Sequence, residues 1–262
     1  MAASFPTTIS TMSTLRSKSK LVKPLSLLLV FAFWIGVWWI AALIVSDGYH
    51  LPSPKDTFLA MIYLFGQKSF YKVVLCSLLR VLAGLCSGTV AGTLLAFVCH
   101  KFALIRSLVS PIISIVKAMP VATFILLIYY TIRGDAQTIF IGFIMVTPII
   151  YQNLLSGLDS IDKNLTEITE IFGFSFAKKL KLLIFPSLRS YLFPAMITSV
   201  GLAFKSQIAA EIIAYTANSI GQFIYDANFG LRTDLVFAWA AVIVSLSIGL
   251  ERLCKYLLGR IK

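Results

Sequence analysis

Three charged side chains, Arg80, Lys205 and Glu211, stand inside long apolar runs of this sequence. In a lipid bilayer an ionisable group is costly and usually functional. Lys205 falls about fourteen residues into its run, near the midplane of a helix that would cross a bilayer in roughly 20 residues. Two readings stay open for it: it faces a translocation path and attracts an anion, or it pairs with a polar neighbour or snorkels. Glu211 follows six residues later. Six residues turn a helix by about 600°, a net 240°, so the two side chains do not share a face. Glu211 is expected in an outer gate region, in a structural or gating role. Arg80, near the outer end of its run, is expected to snorkel. The remaining chemistry is sparse. Cys76, Cys86, Cys99 and Cys254 form no CxxC pair and read as small buried hydrophobes. His50 and His100 cannot build a metal cage with confident partners, so no metal or catalytic site is expected. No GxxxxGK[ST] phosphate loop occurs, so ATP cannot be bound here in the P-loop manner.

A different pattern lies between the runs. Glu167-Ile-Thr-Glu-Ile-Phe-Gly173, followed by Leu183-Ile-Phe-Pro186, is a charged, helix-prone loop of about 30 residues, and loops of that length usually carry function. Asn164 or Thr166 is placed to cap a short helix ahead of Glu167. Gly173 offers a break, since glycine readily takes the positive φ that ends a helix. A second short helix should run through Lys178, Lys179 and Lys181 and stop at Pro186. Two short helices meeting at a glycine elbow make a stiff knob suited to docking.

The elements that position these residues are membrane spans. Hydrophobic residues make up 58% of the 262 and charged residues 13%, about half the share of a soluble domain; mean hydropathy is +0.89. Six spans are expected: Leu25–Val45, Val73–Val98, Leu108–Ile132, Thr138–Leu155, Tyr191–Ala214 and Leu235–Leu258. The third is interrupted by Pro111, Lys117 and Pro120 and should divide into an interfacial helix before Pro120 and an inserted helix after it. The first is too long for a signal-peptide core and reads as a retained span. The net charge of +12 reports topology and anionic headgroups rather than nucleic acid. With the N-terminus inside, fifteen Lys and Arg fall in inner segments, counting Arg252 and Lys255 at the inner end of the sixth span, five in outer loops and three deeper within spans. That asymmetry puts both termini and residues 156–190 in the cytoplasm, with residues 1–24 as a tail, 25–258 as one permease domain and 259–262 as a short C-terminus. Trp239 fits an interfacial belt; Trp34, Trp38 and Trp39 read as lipid- or helix-packing residues. Gly84, Gly88 and Gly92 form a doubled GxxxG on one helix face, for packing within the bundle or at a subunit seam.

The loop resembles the signature of ABC importer permeases: Glu-Ala-Ala, three residues, Gly, nine residues, then Ile-x-Leu-Pro. Here it runs Glu167, three residues between Thr169 and Gly173, nine residues from Phe174 to Leu182, then Leu183, Phe185 and Pro186. Ile168 and Thr169 replace the two alanines and Phe185 a leucine. Leu51-Pro-Ser-Pro54, Ser77-Leu-Leu-Arg80 with Gly84, Pro111, Ala118-Met-Pro120 and Ala209-Ala-Glu211 are similar to the nitrate/sulfonate/taurine branch, so the likeness covers about residues 25–258. It implies an all-α type I importer fold acting as a homodimer, with two ATPase subunits that hold ATP and Mg, and an extracytoplasmic binding protein. It further implies that Glu167, Thr169, Glu170, Gly173, Phe174, Phe185 and Pro186 couple to the ATPase; the candidates for the pathway, from their depth alone, are Lys205 and Glu211. A small polar or anionic solute is the implied cargo, with a vitamin precursor as an alternative. A channel or secondary transporter would need inverted repeats or a selectivity filter, and neither is visible. A membrane-embedded enzyme would need clustered acids or histidines at membrane depth, where only Glu211 is expected.

Overall fold

The computed structural model describes residues 13–45 and 50–260. The expected tail lies outside the described residues as far as residue 12, as do residues 261–262. Among the described residues the chain is eleven α-helices and one π-helical segment, with no strand. Five helices are long and apolar enough to cross a membrane: α1 (Ser13–Val45), α3 (Lys68–Lys101), α6 (Asp135–Asp159), α9 (Phe185–Ile213) and α11 (Thr233–Arg260). A sixth span is available if α4 (Ala103–Ala118) and α5 (Val121–Tyr129) are counted together across their 103° bend. The bend falls at Met119–Pro120, because a proline disfavours helix at the residue before it. At nine residues, α5 is about 14 Å long and too short to cross alone.

Helix α6 is the central rod, packed along α3 on one side and α9 on the other. The three glycines of α3 decide how close that first contact is. A methyl on Gly92 would sit 2.7 Å from the Thr147 carbonyl oxygen, and one on Gly88 would sit 2.8 Å from Val146 Cβ. The doubled GxxxG is therefore an internal seam between α3 and α6, not a surface left for a second subunit. Residues drawn by sequence as outer loops hold two further helices, α2 (Pro54–Gly66) and α10 (Ile220–Phe229). Ser53 caps α2 by accepting the Asp56 N–H, and Pro54 occupies its first turn, where a missing N–H costs nothing.

At that end of the bundle Trp239 is fully buried. It stacks on Phe70 with ring centroids 5.3 Å apart, so it belongs to the core between α2, α3, α10 and α11 and not to an interfacial belt. Trp38 anchors α1 by donating its Nε1–H to the Pro52 carbonyl at 3.1 Å, while Trp34 and Trp39 are exposed. Cys99 is buried, but Cys86 is exposed on α3, so the expectation of uniformly buried cysteines fails there.

Candidate functional site

At the other end, α7 (Lys163–Ile171) and α8 (Phe176–Lys179) meet at Gly173. The Asp162 carboxylate caps α7 by accepting the Asn164 N–H at 2.8 Å; the cap is therefore Asp162, ahead of both Asn164 and Thr166, which lie within the helix. Gly173 has φ +61°, the left-handed value that a Cβ disfavours. Its N–H donates to the Glu170 carbonyl at 3.0 Å, and the Phe174 N–H donates to that of Thr169 at 2.9 Å. This pair of bonds is a Schellman motif, and it satisfies carbonyls that the helix end leaves free. One contact crosses the elbow, Lys179 Nζ to Glu170 Oε1 at 3.2 Å, and a second braces its far side, Lys178 Nζ over the Phe174 ring at 4.0 Å. Thr169 is buried and donates its hydroxyl to the Thr166 carbonyl. Glu167 is exposed. So are Leu165 and Ile168, and Ile171 and Phe172 stand 81% and 72% exposed. The knob thus presents apolar side chains on a braced backbone.

Pro186 does not stop the second short helix. From α8 the chain runs through a π-helical turn, Leu180–Ile184, directly into α9. The Phe185 N–H reaches back to the Leu180 carbonyl, a five-residue span in place of four. Proline has no N–H for the carbonyl four residues back and its ring crowds that turn; widening the turn admits Pro186 without breaking the rod. The knob is therefore joined to α9 by one continuous helix from Ala177 to Ile213.

The charged residues of the spans are arranged differently from the expectation. Arg80 does not snorkel. It is buried, and its guanidinium bonds to Glu211 Oε1 at 3.2 Å, to Asp135 Oδ1 at 2.8 Å and to the carbonyls of Ala217 and Asn218 at 3.0 and 3.3 Å. Glu211, 1% exposed, also accepts from the Ser77 hydroxyl at 2.8 Å and from the Gly221 N–H at 3.2 Å. Ser77 in turn accepts the Ile220 N–H at 3.0 Å. Glu211 and Ser77 thereby satisfy two free donors at the start of α10, where negative charge is favoured. This clasp ties α3, α6, α9 and α10 together. It also holds the 214–219 turn, in which Tyr215 and Asn218 have φ of 48° and 51°. Sequence spacing could not join residues 77, 80, 135 and 211; the sole signal was that Arg80 and Glu211 are opposite charges at similar depth.

Lys205 lies apart from the clasp, on the exposed side of α9. Pro186, Ser190, Pro194, Thr198 and Lys205 form one exposed stripe, and between Phe185 and Ile213 no large apolar side chain of α9 is exposed. The outer face of α3, by contrast, shows Leu75, Leu79, Leu82, Val90 and Leu94. A stripe of serine, threonine, proline and lysine does not suit lipid, so this face of α9 is turned to water or protein. A second acidic residue at membrane depth was overlooked: Glu251, on α11, packs its carboxylate against Gly201 of α9.

The family described as the binding-protein-dependent transport system inner membrane component matches residues 88–262, more than half of the chain. The chain belongs to that family. Among curated relatives, the taurine transport system permease protein TauC of Escherichia coli is 24% identical over 227 residues, covering 84% of this chain and 82% of its own. The nitrate import permease protein NrtB of Synechocystis is 23% identical over 230 residues, covering 84% and 82%. Among solved structures, a bacterial ABC transporter for alginate superposes with TM-score 0.65 at 14% identity over 95% of this chain and 99% of that one. The methionine transporter MetNI does so with TM-score 0.59 at 16% identity over 77% and 98%. This permease is thus an all-α, multi-pass ABC importer subunit of type I fold, as the resemblance implied.

Proposed function

We infer that the permease forms, with a second copy of itself, the path by which a small polar or anionic solute enters the cell. The knob from Glu167 to Pro186 docks on a separate ATPase subunit, one per permease copy, and ATP and Mg belong to that partner. A binding protein delivers solute to the α2–α10–α11 end, where a cavity of about 390 Å³ is lined by Tyr63, Phe70, Phe223, Asp226, Arg232 and Trp239. Both termini and the knob lie in the cytoplasm, as the excess of Lys and Arg on that side favours. The observation that carries this reading is the pair of bare side chains, Ile171 and Phe172, on a backbone braced by a Schellman turn, an ion pair across the elbow and a cation–ring contact beside it. Apolar groups held rigidly in the open mark a docking surface. The unbroken helix from knob to α9 supplies the mechanical link, since a displacement of α8 must be transmitted to the stripe that carries Lys205.

The test is capture of the ATPase. The tagged wild-type chain should co-purify with an ATP-hydrolysing subunit, and Phe172→Asp combined with Ile171→Asp should reduce the captured ATPase by about tenfold or more, as loss of central apolar anchors does. The variant should stay monodisperse, because neither side chain is packed within the chain. Undiminished capture would remove the knob from the interface. Gly173→Val acts on the elbow instead of the contact. It is expected to cost the left-handed turn about 1–2 kcal/mol, leaving ATPase captured but hydrolysis no longer linked to uptake in proteoliposomes. Wild-type coupling in that variant counts against a rigid elbow.

A further inference from the structure

We propose that Lys205 and Glu251 together form a two-charge solute site, and that the solute passing them carries separated positive and negative charges. This rests on the permease reading above. Among the described residues neither side chain has an ion-pair or hydrogen-bond partner, in contrast to Arg80, Asp135 and Glu211, which are joined by ion pairs. Both lie at membrane depth. Lys205 is eight residues, about 12 Å, from one end of α9, and Glu251 is nine residues, about 14 Å, from the opposite end of α11. They are neighbours across the α9–α11 contact. Glu251 is partly buried, with its carboxylate on Gly201, and Gly201 precedes Lys205 by one turn, about 6 Å along the axis and 40° around it. Gly201 therefore stands at the edge of the lipid-averse stripe on which Lys205 is exposed.

Two opposite charges with no contact partner among the described residues, one on Lys205 and one against Gly201 a turn away, leave room for something between them on a face that lipid does not suit. A simple anion answers only half of the site, because Glu251 repels what Lys205 attracts. A simple cation meets the reverse. A zwitterion, its anionic end on the ammonium and its cationic end on the carboxylate, satisfies both. Gly201 leaves room for the carboxylate, since any side chain there would occupy its place. The inorganic anions among conceivable cargoes are disfavoured on the same ground, and amino sulfonates and amino acids of similar span are favoured.

The experiment uses the full-length chain in nanodiscs and two sets of probes that differ only in charge. Taurine is compared with ethanesulfonate and ethylammonium, and β-alanine with propionate and ethylammonium. The wild type is expected to bind at least one zwitterion about tenfold more tightly than either of its singly charged partners. Glu251→Gln should bring the zwitterion and the matching anion to equal affinity, and Lys205→Gln should do the same for the zwitterion and the cation. No preference for a zwitterion in either set, or a preference that changes by less than about twofold in both variants, overturns the proposal. Co-purification of the ATPase with the same preparations is scored separately. Its absence removes the permease reading whatever the probes do, and its presence without charge discrimination removes only the two-charge site.

Discussion

Arg80→Ala is expected to destabilise the permease by about 3–5 kcal/mol, the penalty for leaving one member of a buried ion pair uncompensated. Glu211 has no second cation to turn to among the described residues: its other partners are the Ser77 hydroxyl and the Gly221 N–H. The 214–219 turn would also lose the guanidinium that binds the carbonyls of Ala217 and Asn218. The start of α10 should therefore loosen as the midpoint of unfolding falls, and hydrogen exchange at Ile220 and Gly221 would report it. Glu211→Ala should cost somewhat less, because Arg80 keeps Asp135 and two carbonyls while the buried carboxylate and its cap on α10 are lost. Arg80→Met with Glu211→Met removes both charges and should recover much of the loss, since an apolar pair of similar volume often replaces a buried ion pair without cost. Asp135→Asn supplies the contrast. Its side chain is 66% exposed, and an exposed ion pair contributes at most about 1 kcal/mol. Changes of less than about 1 kcal/mol in both Arg80→Ala and Glu211→Ala would show that the clasp is incidental to the fold.

The second large effect is expected at Gly142. Gln207 of α9 is buried and lays its amide between Gly84 of α3 and Gly142 of α6, where a methyl on either glycine would overlap it. Gly142→Ala should cost about 1–3 kcal/mol or more, because three helices must separate to admit one carbon. Gly142→Ala with Gln207→Ala should be milder than the sum of the two, with a coupling of about 1 kcal/mol or more in a double-mutant cycle. Gly249→Ala is the control. A methyl there meets nothing within 4 Å, and alanine in a helix interior is favoured over glycine by about 0.5–1 kcal/mol. Additive effects at Gly142 and Gln207, measured by thermal unfolding in detergent, would mean that the amide is not what the glycine makes room for.

The Gln207 slot also shows why the role of the α3 glycines was only half legible. Their four-residue spacing showed that a helix face needs close approach. It could not show that α6 comes to Gly88 and Gly92 while a glutamine from α9 comes to Gly84, because those partners lie 55 to 123 residues away in the chain. The elbow was fully legible. A positive φ at Gly173 follows from local backbone sterics, and the structure has it at +61°. Pro186 was read by the same local logic and misjudged, since a π turn offers a proline a way into a helix that propensity alone does not count. Helices α2 and α10 were missed because each is short and lies at a span end where only an interrupted apolar pattern is visible. Trp239 was placed in a belt by its position near a span end, whereas its burial depends on α2 and α10 folding over it.

Apolar runs about as long as a bilayer is thick, together with the excess of basic residues in particular loops, are properties of consecutive residues, so the linear chain alone determined a multi-pass all-α protein with a stiff knob between two of its spans. The assignment of charges was settled only by tertiary structure. Arg80 and Glu211 became a buried clasp, while Lys205 and Glu251 were left without partners on adjoining helices, because an electrostatic contact depends on distance through space and the chain brings residues 80 and 211 within 3.2 Å only when α3 and α9 are packed in one bundle.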